Sequence, residues 1–140
     1  YCFGFGHHVN RSNQNVTPIQ LLTAVCAVAN GGVLMKPQLV QEIVASDGRV
    51  LVPFRKQEVG RVISRETSKQ VCEILESVVT NGTGRRAFLP GYRVAGKTGT
   101  AQKVVDGKYV QGEYVASFVS FAPADNPRIA VLVVIDGVPN

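Results

Sequence analysis

The 140-residue sequence contains no tryptophan, one methionine and two histidines. Its basic residues are scattered and never form a run interleaved with aromatics, so the footprint of a nucleic-acid interface is absent. The three cysteines, Cys2, Cys26 and Cys72, are odd in number and far apart, with no C-x-x-C and no Cys/His cluster. That excludes a zinc site or a disulfide framework. His7-His8 offers two imidazoles whose side chains diverge, with no third ligand in sight, so no metal and no cofactor are expected. The longest apolar stretch near the C-terminus, Ile129 to Ile135, is seven residues. A bilayer needs about 20. Charged residues make up only 18% against 45% hydrophobic, which excludes a disordered chain.

What is present describes a folded domain with many turns. Fourteen glycines and seven prolines punctuate the chain. A formal net charge of +5 favours anionic partners, whether a carboxylate substrate, an anionic polymer or nucleic acid. The chain starts at Tyr1 and its last residues follow directly on an aliphatic run, so it reads as a piece of something longer.

Residues 1–15 carry Gly, His, Asn and Ser and read as an irregular loop or junction. Thr17-Pro18-Ile19-Gln20 predicts a helix start, with Thr17 as N-cap, Pro18 in the first turn and Gln20 completing a capping box. Ile19, Leu22, Cys26 and Ala29 recur on one face, widened by Leu21, Val25 and Val28, which predicts a deeply buried helix ending at Asn30-Gly31-Gly32. Leu39 to Ala45 and Arg49 to Phe54 flank Ser46-Asp47-Gly48, the signature of a hairpin. Ser64 caps a second helix to about Thr80, with Val71, Ile74, Leu75 and Val78 as its inner face. Cys26 and Cys72 read as small core residues. Glu73 and Glu76 allow an acid–base pair, but a solvated face with ion pairs accounts for them more simply. Tyr92 to Val105, Tyr114 to Phe121 and Ile129 to Ile135 are three extended runs, separated by Asp106-Gly107 and by Pro123 to Pro127. Short turns between them imply an antiparallel meander, and the last run is aliphatic enough to be covered on both faces. The fold class is α+β, an antiparallel sheet packed with helices.

One segment carries chemistry: Gly96-Lys97-Thr98-Gly99-Thr100, inside the first extended run. It lacks the spacing of a phosphate loop. Lys97 offers a compact positive charge and the threonines offer hydroxyls. Gly99 removes a side chain so that another backbone can approach. An extended peptide with an anionic group fits such a strand. A bulge at the two glycines, with Lys97 guarding a sheet edge, fits equally well.

K-T-G is also a motif of penicillin-binding proteins and class A β-lactamases. Val16-Thr17-Pro18-Ile19-Gln20-Leu21-Leu22, Ala29-Asn30-Gly31-Gly32 and Lys36-Pro37 resemble stretches of class B penicillin-binding proteins. So do Val79-Thr80-Asn81-Gly82-Thr83-Gly84, the run Pro90 to Gln102, Ala116-Ser117-Phe118-Val119 and Phe121-Ala122-Pro123-Ala124. The resemblance covers residues 16–136 in order and is closest to the monofunctional transpeptidases of cell division and sporulation. It implies a peptidoglycan D,D-transpeptidase in which a serine attacks a stem peptide ending in D-Ala-D-Ala, and which β-lactams acylate. It implies that Lys97 supplies charge and a proton-network contact, that Thr98 and Thr100 hold the substrate carboxylate, that Gly99 keeps the strand open, and that the Thr100 N–H forms half of an oxyanion hole. It further implies cell-wall synthesis proteins as partners, no nucleic acid, and a parent anchored at the outer face of the bacterial cytoplasmic membrane.

The family's S-x-x-K is missing. Val33, Pro53, Glu66, Val94, Thr100 and Val105 stand three residues before the six lysines. Thr100 and Lys103 have the spacing, but on a strand such residues point to opposite faces. S-x-N is missing too, since Ser12-Asn13 has no residue between. The resemblance therefore implies that residues 16–140 are the C-terminal portion of the transpeptidase domain, inactive alone. Two other readings stay open here: a β-lactamase or β-lactam-sensor domain sharing the K-T-G strand, and a non-catalytic interaction module.

Overall fold

The computed structural model describes residues 3–4, 15–105 and 108–139. Cys2, His7-His8, Ser12-Asn13 and the Asp106-Gly107 turn lie outside the described residues. In chain order the elements are β1 (Phe3–Gly4), β2 (Asn15–Val16), α1 (Pro18–Ala29), β3 (Val33–Met35), β4 (Ile43–Val44), β5 (Val50–Val52), β6 (Glu58–Arg61) and α2 (Arg65–Thr80). A short 3-10 turn (Arg85–Ala87) follows, then β7 (Ala95–Val105), β8 (Lys108–Ala122) and β9 (Ile129–Pro139). The last three form one antiparallel sheet in the order β7-β8-β9, the expected meander. The α+β expectation holds.

α1 starts as its sequence dictates. The Thr17 hydroxyl accepts from the Gln20 N–H at 3.3 Å, and Gln20 Oε1 accepts from the Thr17 N–H at 2.8 Å. Both orphan amides of the first turn are thereby satisfied. The helix is not deeply buried, however. Ala27 alone is fully covered, and Ile19 is 48% exposed. The reason is one-sided packing: among the described residues α1 meets α2, β3 and the sheet and nothing beyond its outer face.

α2 is capped by Ser64, whose hydroxyl accepts from the Thr67 N–H at 3.0 Å. Of the predicted inner face, Val71, Leu75 and Val78 are half-buried and only Ile74 turns outward. Ser68 and Val79 are buried and Cys72 and Leu75 half-buried, whereas Ile74 is exposed. The buried stripe runs 68, 72, 75, 79, and Ser68 closes it by donating to the Val28 carbonyl of α1 at 2.6 Å. A polar residue at the helix crossing is tolerated because its bond is made across the interface.

The hairpin forms around Asp47-Gly48, with Gly48 at φ +84°, but pairs only Ile43–Val44 with Val50–Val52. Val33–Met35 against Glu58–Arg61 is a strand pair that the sequence patterning did not indicate. Each partner is short, and their register shifts between Leu34 and Met35. Gly32 is what lets the chain enter that pair: at φ +86° a Cβ there would lie 2.1 Å from the Ile63 carbonyl oxygen.

The core is a row across the sheet. Ala95 of β7, Phe121 of β8 and Ala130 of β9 are register partners, and Val25, Ala29, Cys72 and Leu75 of the helices pack against them. Cys72 packs against this row and Cys26 lies half-buried on α1, and burial raises both thiols above the ordinary cysteine range. The opposite face of β9 corrects the expectation of two covered faces: Ile129, Val131, Val133 and Ile135 are all exposed. Both helices pack on the side of Ala130, and among the described residues none lies over the other side.

Arg93 ties this arrangement together just ahead of β7. Its guanidinium reaches both Glu76 oxygens at 2.7 Å and Asp125 at 2.8 Å, and its carbonyl accepts from the Ala124 N–H at 2.8 Å. Glu76 is therefore an ion-pair residue, with its partner 17 positions away rather than on its own helix. The Arg93 guanidinium holds the Glu76 carboxyl below the usual range, slightly offset by burial and by Asp125. A depressed folded-state value gives stability that is present above the unfolded value and is lost as pH falls through the folded one. Arg93 is half exposed, so solvent screens the pair and its contribution is small. Unfolding midpoints across pH 3–7 should therefore decline more steeply below pH 5 for the native sequence than for Glu76→Gln.

Candidate active site

β7 is an edge strand: β8 pairs with it on one side, and no described strand pairs on the other. The register runs without interruption from Ala95↔Phe121 through Gln102↔Tyr114, so the glycines at 96 and 99 do not mark a bulge; the shift falls between Gln102 and Val104. Gly96 is instead a close-approach position. A Cβ there would stand 2.8 Å from the Val119 carbonyl oxygen and 2.7 Å from Phe118 Cζ. The strand thus lies flat against β8 immediately before Lys97.

The four residues singled out in the sequence fall together on this edge. Lys97 and Thr100 are exposed, and Thr98 and Gly99 are half-buried. Lys97 Nζ donates to the Thr98 carbonyl at 2.8 Å and approaches Thr98 Oγ1 at 3.4 Å. Among the described residues no carboxylate lies within ion-pair distance of Lys97. The contrast with Lys103, six residues along the same strand, is direct: that ammonium bridges Glu113 of β8 at 3.2 Å and Asp136 of β9 at 3.5 Å, and both carboxylates raise its proton affinity. Lys103 staples three strands, while Lys97 is left to face solvent. Across the strand, Ser117 of β8 donates to the Gly99 carbonyl at 3.4 Å.

The sequence reading missed one neighbour. Thr83, in the turn after α2, places its Oγ1 3.1 Å from Thr98 Oγ1. The signal was in Asn81-Gly82-Thr83-Gly84: glycines on both sides of a threonine let that turn fold back tightly. No group of three or more potential metal ligands occurs among the described residues. No helix among them is long and apolar enough to cross a membrane.

Residues 2–140 match the family model of the penicillin binding protein transpeptidase domain. The chain belongs to the penicillin-binding protein transpeptidases. It is 51% identical over 126 residues to stage V sporulation protein D of Bacillus subtilis, covering 87% of this chain and 19% of that protein. It is 36% identical over 131 residues to penicillin-binding protein PbpB of Mycolicibacterium smegmatis, covering 87% and 20%. The chain thus spans about a fifth of the length of these relatives. Among solved structures it resembles penicillin-binding protein 3 of Mycobacterium tuberculosis in complex with aztreonam, with TM-score 0.79 and 36% identity over 89% of this chain and 29% of that one. The D,D-transpeptidase domain of a peptidoglycan glycosyltransferase from Eggerthella lenta gives TM-score 0.79 and 33% identity, over 96% and 32%. The penicillin-binding fold is therefore that of the chain, and its K-T-G sequence lies on the edge strand β7.

Proposed function

We propose that the chain is the C-terminal part of a peptidoglycan D,D-transpeptidase and that β7 is its substrate-binding strand. The observation that supports this best is a lysine with no carboxylate partner among the described residues, on an edge strand and beside two threonines at alternate positions. Lys97 brings its charge to a carboxylate-terminated peptide, and the Thr98 and Thr100 hydroxyls, two residues apart on one side of the strand, hold that carboxylate. Gly99 between them leaves room for the ligand's backbone. The Thr100 N–H, on the same side as the Thr98 carbonyl that Lys97 reaches, supplies one donor of an oxyanion hole.

In this reading a serine upstream of the chain attacks the penultimate D-alanine carbonyl. Its hydroxyl proton passes to a base, the carbonyl oxygen takes up negative charge beside the Thr100 N–H, and D-alanine leaves with a proton. An amine from a neighbouring strand then displaces the serine. A β-lactam acylates the same serine as its ring opens. The relative crystallised with aztreonam supports β-lactams as ligands. The parent acts at the outer face of the cytoplasmic membrane with other cell-wall synthesis proteins. Residues 1–140 contain no S-x-x-K and should not turn over alone, because acyl transfer needs an activated nucleophile.

Intact mass after incubation with a penicillin tests this. An adduct is expected on the chain extended upstream through the whole domain and not on residues 1–140. An adduct on the short chain would mean that a hydroxyl within it is the nucleophile. Labelling of neither, with the longer chain folded, would point to a non-catalytic interaction module, and rapid penicillin hydrolysis to a β-lactamase.

A further inference from the structure

The turn after α2 is fixed by its backbone. The N–H groups of Gly82 and Gly84 both bond to the Val78 carbonyl, at 3.1 and 2.9 Å, and a Cβ on either glycine would come within about 3 Å of that oxygen. This docks Thr83 beside β7, 15 residues away in sequence, with its hydroxyl 3.1 Å from that of Thr98.

A threonine hydroxyl has one proton to give and two lone pairs to receive. At Thr98 Oγ1 the Lys97 ammonium, at 3.4 Å, can only donate. If Thr98 also gave its proton to Thr83, it would have none left for an anion at the open edge. If Thr83 donates instead, both lone pairs of Thr98 are occupied and its proton points outward. A carboxylate has only acceptors, so it selects the second arrangement.

We propose that Thr83 is a positioning residue: its hydroxyl donates to Thr98 and so keeps the Thr98 O–H as a donor to the carboxylate of the bound ligand. The inference rests on the transpeptidase reading above. It makes Thr83 act through Thr98 and assigns it no contact with the reacting carbonyl. Its effect is confined to ligands that present a carboxylate to β7.

The test compares acylation of the upstream-extended chain by penicillin G and by penicillin G methyl ester, which lacks the negative charge. Thr83→Val keeps the side-chain shape and removes the hydroxyl. It should slow acylation by the acid about tenfold, the scale of one lost bond to a charged group, and change the ester rate by less than about twofold. Thr83→Ser should restore the acid-to-ester ratio. Because that ratio is taken within each protein, a variant that is partly unfolded still reports it. An equal loss on acid and ester would show a merely structural role and overturn the inference, as would an unchanged ratio in Thr83→Val. Failure of the native extended chain to be acylated by either compound would instead remove the transpeptidase reading on which the inference stands.

Discussion

Lys97→Ala should slow penicillin acylation of the upstream-extended chain by about 10²–10³-fold while leaving its melting temperature unchanged. The rate effect is the scale of losing one preorganised donor in a site of developing charge. It corresponds to about 3–4 kcal/mol of transition-state stabilisation. The stability argument comes from geometry. Lys97 is exposed, and its bonds go to the backbone and hydroxyl of the residue beside it, so its removal leaves no buried charge unpaired. Lys97→Arg sharpens the test. It keeps the charge but replaces a compact ammonium with a planar fork on a longer stem, and it should recover only part of the rate. Lys103→Ala is the converse case. That ammonium is spent on Glu113 and Asp136, so its loss should loosen the far end of the sheet with little direct effect on acylation. Equal acylation rates in the native chain and Lys97→Ala would separate Lys97 from the chemistry.

The parts of the fold legible in the sequence are those fixed by local rules. Thr17-Pro18-Ile19-Gln20 contains both halves of a capping box, and α1 begins there. Ser64 does the same for α2, and Asp47-Gly48 for the hairpin. The meander is legible because its three extended runs are long and its turns are short. The K-T-G segment is legible because a lysine and two glycines interrupt an extended run and because the triplet matches a family motif. What was not legible depends on partners distant in sequence. β3 and β6 are three and four residues long, too short for a period to register, and pair across the hairpin. Glu76 finds Arg93, and Thr83 finds Thr98, only once α2 lies against β7. The aliphatic β9 promised two covered faces, yet periodicity reports how apolar a strand is and not what lies over it.

The one residue misplaced on the predicted face of α2, Ile74, leads to the second large effect. Phe121→Ala should lower the unfolding free energy by about 3–5 kcal/mol, and Ile74→Ala by less than about 0.5. The periodic pattern puts Ile74 on the helix's inner face and would give it a core-sized cost. The structure reverses this. Ile74 is 62% exposed, and the neighbours that pack on the sheet are Cys72 and Leu75. Phe121 is 2% exposed and fills the middle of the row between Ala95 and Ala130, two residues too small to close over the space it would leave. A cavity there would border Val25 and Ala29 of α1 as well as Leu75 of α2, so both helices would lose contact with the sheet at once. Few hydrophobic side chains are fully buried among the described residues, so one large ring carries a large share of the core. Domains are stable by only about 5–15 kcal/mol, and a loss of this size removes a substantial part of that. Urea unfolding of the two variants measures it. Comparable midpoints, or the larger loss at Ile74, would show that α2 sits on the sheet by the face the periodicity indicated.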